Sequence, residues 1–182
     1  MIVFRHVDPA FPFLWEGQGQ PAGRWNRLGQ GPVHYLADTP DGAWAEFLRH
    51  EEITEPADLD GVRRAIWAIE LPEAPAATPE LHAKTLTGGR QTYSACQEEA
   101  DRIRSEGRTG LAAPSAALQP MSAGGRRVEG GLQAGPPRDG TVIVLFGARP
   151  DLVGWLAALG RPSEELLTRV RHFPRRARAS RR

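Results

Sequence analysis

The order of apolar and polar residues along the chain predicts five strands. Short runs rich in β-branched and aromatic residues predict strands at Ile2–Val7, Val33–Ala37, Gly110–Pro114 and Thr141–Phe146. Residues 62–71 alternate in polarity, which is the pattern of a further strand. The uninterrupted apolar run TVIVLF is typical of a strand in the middle of a sheet.

The clearest helix is predicted over residues 40–52. Thr39 can cap its N-terminus, and proline follows at the first helical position. Trp44, Phe47 and Leu48 give this helix an apolar stripe at helical spacing. This pattern predicts a helix that packs one face on the core.

The remaining segments are predicted from composition and shorter patterns. We expect a second long helix at residues 92–106 and shorter helical stretches at 149–159 and 163–172. Residues 72–89 are rich in proline and are expected to be irregular, and residues 122–140 are rich in glycine, which predicts a mobile loop. Because strands and helices do not alternate regularly, the order predicts an α+β fold rather than a doubly wound parallel sheet.

The segment after the first strand contains three aromatic residues among its prolines and glycines. Phe11, Phe13 and Trp15 make it too apolar for a solvated linker. We therefore expect this loop to pack back on the body of the protein.

Length and composition are those of one soluble globular domain with a C-terminal extension. The chain has 182 residues, of which 25% are charged and 40% hydrophobic, with a formal net charge of +1. We expect one domain at residues 1–160, followed by a helix and an arginine-rich tail at 161–182. The tail predicts a solvated C-terminus, or alternatively a segment that contacts nucleic-acid phosphates.

Several classes of protein are disfavoured by what the sequence lacks. It has neither a signal-peptide pattern nor an apolar run of membrane-spanning length, so we expect a cytoplasmic protein that binds no membrane. Its five histidines show no zinc-binding spacing, and there is no GxxxxGK[ST] phosphate loop, so no metal is expected. Cys96 is the single cysteine and lies in a predicted helix, which favours a buried structural thiol over a nucleophile.

Single polar residues do not indicate a function until they are taken in order. The run GRWNRLGQGPVHYLADTPDGAWAEFLRH at residues 23–50 resembles the signature of RES-domain proteins. The arginine, glutamate and serine that name this family fall here on Arg24, Glu46 and Ser115, and Tyr35 takes the aromatic position. The later runs EEADRIRSEGRTGLAAPSAAL and TVIVLFG resemble further blocks of the family, over about residues 3–155 in all.

The resemblance implies an ADP-ribosyltransferase-like fold, with a mixed β-sheet core and flanking helices, that binds NAD as substrate. Members of the family are toxins that consume NAD by hydrolysis or phosphorolysis, or that transfer ADP-ribose to a protein. They are paired with an Xre-type antitoxin that carries a DNA-binding helix-turn-helix.

The site residues fit that chemistry. Glu46 is the candidate that stabilises positive charge growing on the ribose, and Arg24 can bind the pyrophosphate bidentately. Tyr35 can stack on the nicotinamide ring, while Ser115 and Asn26 complete the predicted NAD-binding set.

Two other functions stay open at this point. One is transfer of ADP-ribose to a protein acceptor, and the other is a non-catalytic module that binds nucleic acid through the tail. For the folded domain we do not expect direct binding of nucleic acid. The acceptor and the oligomeric state, a homodimer included, are not specified by the sequence.

Overall fold

The computed structural model describes residues 1–17, 19–75 and 77–173. In chain order the strands and helices are β1 (Ile2–Val7), β2 (Val33–Ala37), α1 (Pro40–His50), β3 (Arg64–Glu70), α2 (Ala83–Leu86), α3 (Tyr93–Ser105), β4 (Gly110–Pro114), β5 (Arg126–Val128), β6 (Leu132–Ala134), β7 (Thr141–Phe146) and β8 (Val153–Gly160). The described chain also contains 3-10 helices at Pro56–Leu59, Arg90–Thr92 and Glu164–Arg169.

A six-stranded sheet forms the centre of the molecule, in the order β4-β7-β2-β1-β3-β8. Each neighbouring pair of strands in it is antiparallel. The α+β class predicted from the order of elements is confirmed. β7 lies between β4 and β2 and is buried along most of its length, as its apolar run predicts.

Helices cover one face of this sheet and loops cover the other. On the helical face, α1 packs Ala45 and Leu48 in a cluster that includes Phe4 of β1. α3 packs Cys96 and Ile103 on the same face, against residues of β4 and β7.

On the other face, Val3 and Ile69 belong to a third cluster. Phe13 and Leu14 of the loop after β1 pack against that cluster. The two faces of β1 therefore lie under different parts of the chain.

The helix predicted at residues 149–159 is wrong, because this segment forms the strand β8 at the edge of the sheet. Its apolar residues Leu152, Trp155 and Leu159 follow helical spacing, but they also suit a strand. Pairing of β8 with β3 along the full length of β3 decides the conformation. Tertiary pairing has overridden the local pattern here.

Three other segments differ in detail from their prediction. The glycine-rich residues 122–140 contain the hairpin of β5 and β6, so this segment is not all loop. The proline-rich residues 72–89 contain the one-turn helix α2. The predicted helix at residues 163–172 is a 3-10 helix over Glu164–Arg169.

Most of the arginine-rich tail lies outside the described residues, so the predictions about it stay predictions.

Candidate active site

A cavity lies where β1 and β2 separate. The two strands share a single registered pair, Phe4 with Ala37, and then diverge. The space between them is a cavity of about 630 Å³ that is lined by residues of β1, β2, α1 and the segment between β1 and β2. The cavity contacts residues from both faces of the sheet, so it passes through the gap between the strands.

Glu46 projects into this cavity from the middle of α1. Thr39 caps the helix, since its hydroxyl accepts a hydrogen bond from Gly42 N at 3.0 Å. Gly42 packs closely there, because a Cβ would lie 3.0 Å from both Ala37 Cβ and Thr39 Oγ1. The close approach seats the first turn against β2. The apolar stripe of α1 packs on the core, and Glu46 is left half-buried at the cavity wall.

Ser115 is hydrogen-bonded to Glu46 and does not itself line the cavity. It follows the last residue of β4, and its hydroxyl accepts hydrogen bonds from Ala117 N at 3.2 Å and Leu118 N at 3.1 Å. The same hydroxyl donates to Glu46 Oε1 at 3.4 Å. Ser115 is buried, and the neighbouring Ala116 is the residue that lines the cavity. The structure therefore brings the predicted serine and glutamate together, with the serine beneath the carboxylate.

Arg24 is buried and also lines the cavity. Its guanidinium donates to Gly88 O at 2.6 Å, to Thr92 Oγ1 at 3.0 Å and to Thr85 O at 3.2 Å. Its carbon Cζ also lies 4.8 Å from the centroid of the Tyr93 ring. Arg24 consequently holds the segment between α2 and α3 in place as well as facing the cavity.

Arg49 is a site residue that the sequence analysis did not select. It is one helical turn after Glu46, and it is 3% exposed. Its guanidinium donates to Gly88 O at 2.7 Å, to Arg171 O at 2.8 Å and to Ala116 O. The signal in the sequence was its spacing, because residues three apart on a helix share a face.

The two arginines give the cavity a positive wall. Arg24 and Arg49 both donate to the same carbonyl, and neither forms an ion pair with a carboxylate of the described residues. Burial lowers the pKa of Arg49, and the negative charge of Glu46 opposes that effect. An arginine side chain nevertheless stays charged in a protein. Two buried guanidinium groups without an acidic partner are suited to binding an anionic ligand.

Tyr35 and Asn26 are linked to each other in the wall of the cavity. The Tyr35 hydroxyl donates to Asn26 Oδ1 at 2.8 Å and accepts from Trp25 N at 2.8 Å. Burial is the main cause that raises the pKa of this hydroxyl, so it stays a donor. A Cβ at Gly23 would meet Tyr35 Oη at 2.6 Å, so only glycine fits beside the pair.

Both predicted residues line the cavity, and so does Tyr93, an aromatic residue that the sequence analysis did not select. The ring of Tyr35 is half-buried, while the amide of Asn26 is also bonded to Pro21 O at 3.0 Å. Their hydrogen bonds hold the segment around Arg24 in shape. That positions Arg24 for a ligand.

Further cationic side chains line the cavity along β1. Burial lowers the pKa of Arg5 to about 10, and its guanidinium lies 3.4 Å from His34 Nδ1. Burial, reinforced by Arg64 and Arg5, lowers the pKa of His6 to about 3. His6 is therefore neutral near pH 7, and the charge on this side of the cavity is carried by arginine.

Three other observations bear on the chemistry that the sequence disfavoured. Cys96 is fully buried and burial raises the pKa of its thiol, which suits the structural role predicted for it. No group of three or more metal-binding side chains occurs among the described residues. Within the same residues, every helix is too short or too polar to cross a bilayer.

The comparisons with known proteins agree with the fold. The structure is similar to that of a chain from the crystal structure of the M. tuberculosis MbcT–MbcA toxin–antitoxin complex, with a TM-score of 0.60 and 16% sequence identity over 92% of this chain and 86% of that chain. That chain is the toxin MbcT, which has an ADP-ribosyltransferase-like fold. No curated protein matches the chain in sequence.

The fold of this chain is therefore ADP-ribosyltransferase-like. The family model described as RES domain matches residues 2–166. The chain belongs to the RES-domain family, which confirms the resemblance carried by Arg24, Glu46 and Ser115.

Proposed function

We propose that this protein cleaves the bond between nicotinamide and ribose in NAD, as the toxin of a type II toxin–antitoxin system. The observation that carries the proposal is the pairing of Glu46 with two buried arginines in one cavity. The volume of about 630 Å³ is within the roughly 300–1,000 Å³ typical of small-molecule sites. Membership of the RES family and likeness to a toxin from a toxin–antitoxin complex support the same function.

Glu46 is the catalytic residue in this proposal. As the bond from ribose C1′ to nicotinamide breaks, its electron pair leaves with nicotinamide and positive charge develops on the sugar. The carboxylate stabilises that charge, and it can orient the nucleophile that bonds to C1′. Ser115 positions the carboxylate through its hydroxyl.

Arg24 and Arg49 bind the pyrophosphate in this proposal. Each guanidinium already donates to Gly88 O, which fixes its position, and a guanidinium offers five N–H donors in all. Tyr35, Asn26 and Tyr93 line the cavity beside Arg24, and we assign the ring of Tyr35 to stacking on nicotinamide.

Release of nicotinamide from NAD by the purified protein tests the proposal. We expect Glu46→Gln to reduce kcat at least about 100-fold, because it removes the charge that stabilises the transition state. Glu73→Gln is the matched control, since Glu73 is exposed and outside the cavity. Equal activity of Glu46→Gln and the wild type would contradict the assignment.

The same assay identifies the acceptor to which ADP-ribose is transferred. Release that needs inorganic phosphate indicates phosphorolysis, and release without it indicates hydrolysis. Transfer to a protein is the second candidate, because the cavity opens at a surface that a protein side chain can approach. Label from NAD that appears in a protein band identifies this third reaction.

We propose an Xre-type antitoxin with a helix-turn-helix as the protein partner, acting on a cytoplasmic toxin. The structural relative MbcT comes from a toxin–antitoxin complex, which supports an antitoxin as the partner. Loss of nicotinamide release when the antitoxin from the neighbouring gene is added tests this pairing.

We also propose a homodimer at the edge strand β8. Val153, Trp155 and Leu159 of this strand are each more than half exposed, and an unpaired edge can add a second strand. In an antiparallel self-pairing centred on Leu156, Asp151 faces Arg161 of the second copy. Light scattering of the wild type and Trp155→Lys tests it. A monomer at high concentration would exclude the dimer.

The binding of nucleic acid through the basic tail rests on residues 174–182, which lie outside the described part of the chain. Steep salt dependence of nucleic-acid affinity, lost on truncation after Phe173, is the result that would favour this alternative.

A further inference from the structure

Two aromatic side chains stand half-exposed at the mouth of the cavity. Phe11 is 53% exposed and Trp15 is 48% exposed, and both line the cavity. Their ring centroids lie 5.7 Å apart, with the rings nearly perpendicular. The sequence predicts that this loop packs back on the body of the protein, and it does so through Phe13, whose ring centroid lies 5.2 Å from that of Trp67.

The arrangement of the loop keeps Trp15 in this position. Phe13 and Leu14 anchor the loop on the core, so the residues on either side are displaced toward the cavity. A Cβ at Gly17 would come within 3.0 Å of Trp15 Nε1, which shows how tightly the chain turns around the indole. The ring is therefore held in place although one side of it is open.

Exposure alone does not make a binding site, because Leu28 and Val128 are more exposed than either ring. Phe11 and Trp15 differ from these residues in lining the cavity that also contains Glu46 and Arg24. Exposed apolar surface inside such a cavity is characteristic of ligand binding.

The two rings and Glu46 belong to parts of the chain that pack on opposite faces of the sheet. Helix α1 packs on the face of the sheet that carries Phe4, whereas the loop with Phe11 and Trp15 packs on the face that carries Val3. A ligand that reaches both Glu46 and the loop must extend through the gap between β1 and β2. NAD has such a shape, with a purine base at the end opposite nicotinamide.

We propose that Phe11 and Trp15 form a stacking site for the purine base of the substrate. This inference rests on the proposed cleavage of NAD. It identifies the side chains that bind the end of NAD opposite nicotinamide. Aromatic side chains bind bases through their flat faces, which every purine presents. The site therefore contributes to affinity for the dinucleotide and does not act on the bond that breaks.

Kinetics with two substrates test the stacking site. NAD and nicotinamide mononucleotide share the bond that breaks, but only NAD carries the purine. We expect Trp15→Ala and Phe11→Ala to raise KM for NAD about tenfold or more with little change in kcat. The ratio of kcat/KM for NAD to that for the mononucleotide falls by the same factor. Trp15→Phe restores most of the ratio, and Leu28→Ala, at an exposed position outside the cavity, leaves it unchanged.

A binding measurement separates this inference from the proposed reaction. AMP carries the purine without nicotinamide, and its binding by calorimetry needs no turnover. Weaker binding of AMP to Trp15→Ala than to the wild type supports the site even if neither substrate is cleaved. Equal binding of AMP to the two proteins, or equal loss of activity on both substrates, overturns the site.

Discussion

At the scale of single residues, the carbonyl of Gly88 is where the positive side of the cavity is organised. It accepts hydrogen bonds from Arg24 at 2.6 Å and from Arg49 at 2.7 Å. Glycine is required at this position, because a Cβ would lie 2.5 Å from Thr92 Cγ2. Two like charges are thus held together by an uncharged group, and a bound anion would relieve their repulsion.

The sequence predicted one of these arginines and missed the other for a physical reason. Arg24 and Arg49 both lie in the block at residues 23–50 that resembles the family signature, but only Arg24 is one of the three residues that name the family. Arg49 is ordinary in the sequence, and its partners Gly88, Ala116 and Arg171 come from three distant segments. Only the folded chain brings those carbonyls together.

Ser115→Ala tests how the carboxylate is supported. The change leaves Ala117 N and Leu118 N without their acceptor and Glu46 without its donor. We expect a loss of about 1–2 kcal/mol in the free energy of unfolding and a lower kcat. Ser163→Ala is the matched control, because Ser163 also accepts from a backbone N–H, that of Glu165, but is exposed and outside the cavity. The same kcat in both variants would argue against a positioning role for Ser115.

At the scale of elements, the segment after the 3-10 helix Glu164–Arg169 contacts residues that line the cavity or lie beside it. Arg171 N donates to Ala117 O at 2.6 Å, which docks this segment beside the turn that contains Ser115. The ring of Phe173 lies 4.4 Å from Arg49 Cζ and 4.7 Å from Arg90 Cζ, measured to the ring centroid. These contacts lie beyond residue 166, where the family match ends.

A helix or strand could be predicted from the sequence where a local pattern of residues determines it. Helix α1 begins where its cap and proline predict, while it ends at His50, ahead of Glu52, whose φ of 55° is left-handed. The strand β8 could not be predicted, because its apolar residues fit a helix as well and only the pairing with β3 separates the two. The same holds for Arg171 and Phe173, whose partners are distant in sequence.

Phe173→Ala tests the role of the C-terminal segment. The change removes the ring from Arg49, and a cation–π contact of this kind contributes about 0.5–2 kcal/mol. We therefore expect KM for NAD to rise by a factor of roughly 2–30, with a smaller effect on kcat. Phe173→Tyr keeps an aromatic ring and should restore KM. A similar rise in KM for Phe173→Tyr and Phe173→Ala would mean that the ring face is not what acts on Arg49.

At the scale of the whole molecule, the divided sheet produces both the cavity and its charge. β1 and β2 diverge after one registered pair, and Arg5 extends across the gap to His34. The succession of helices and strands along the chain predicted a small α+β domain but not the order of strands in the sheet, since that order depends on pairing between distant segments. The position of the cavity follows from the order of strands, so the pattern of residues alone could not predict it. Only the family resemblance indicated which residues belong to the candidate site.

The same gap makes the stability of the fold depend on pH. Burial and the charge of Arg5 lower the pKa of His34 to about 4, which the nearby Glu16 only partly opposes, and the pKa of His6 is lowered to about 3. Both side chains are neutral in the folded protein near pH 5, whereas the unfolded chain protonates them below the ordinary histidine pKa of 6.5. The unfolded state then binds more protons, and stability falls as the pH falls.

We expect the free energy of unfolding in urea to decrease between pH 6.5 and pH 5, by at most about 1.4 kcal/mol per pH unit for each histidine. The carboxyl groups with lowered pKa, Glu99, Asp101 and Asp151, have ordinary values of 4.5, 3.8 and 3.8, so their contribution is lost mainly below this window. His34→Gln removes one of the two titrating groups. It should lower stability at pH 7 and make the dependence on pH shallower. If the free energy of unfolding of His34→Gln and of the wild type changed in parallel with pH, His34 would be free to take up a proton in the folded protein.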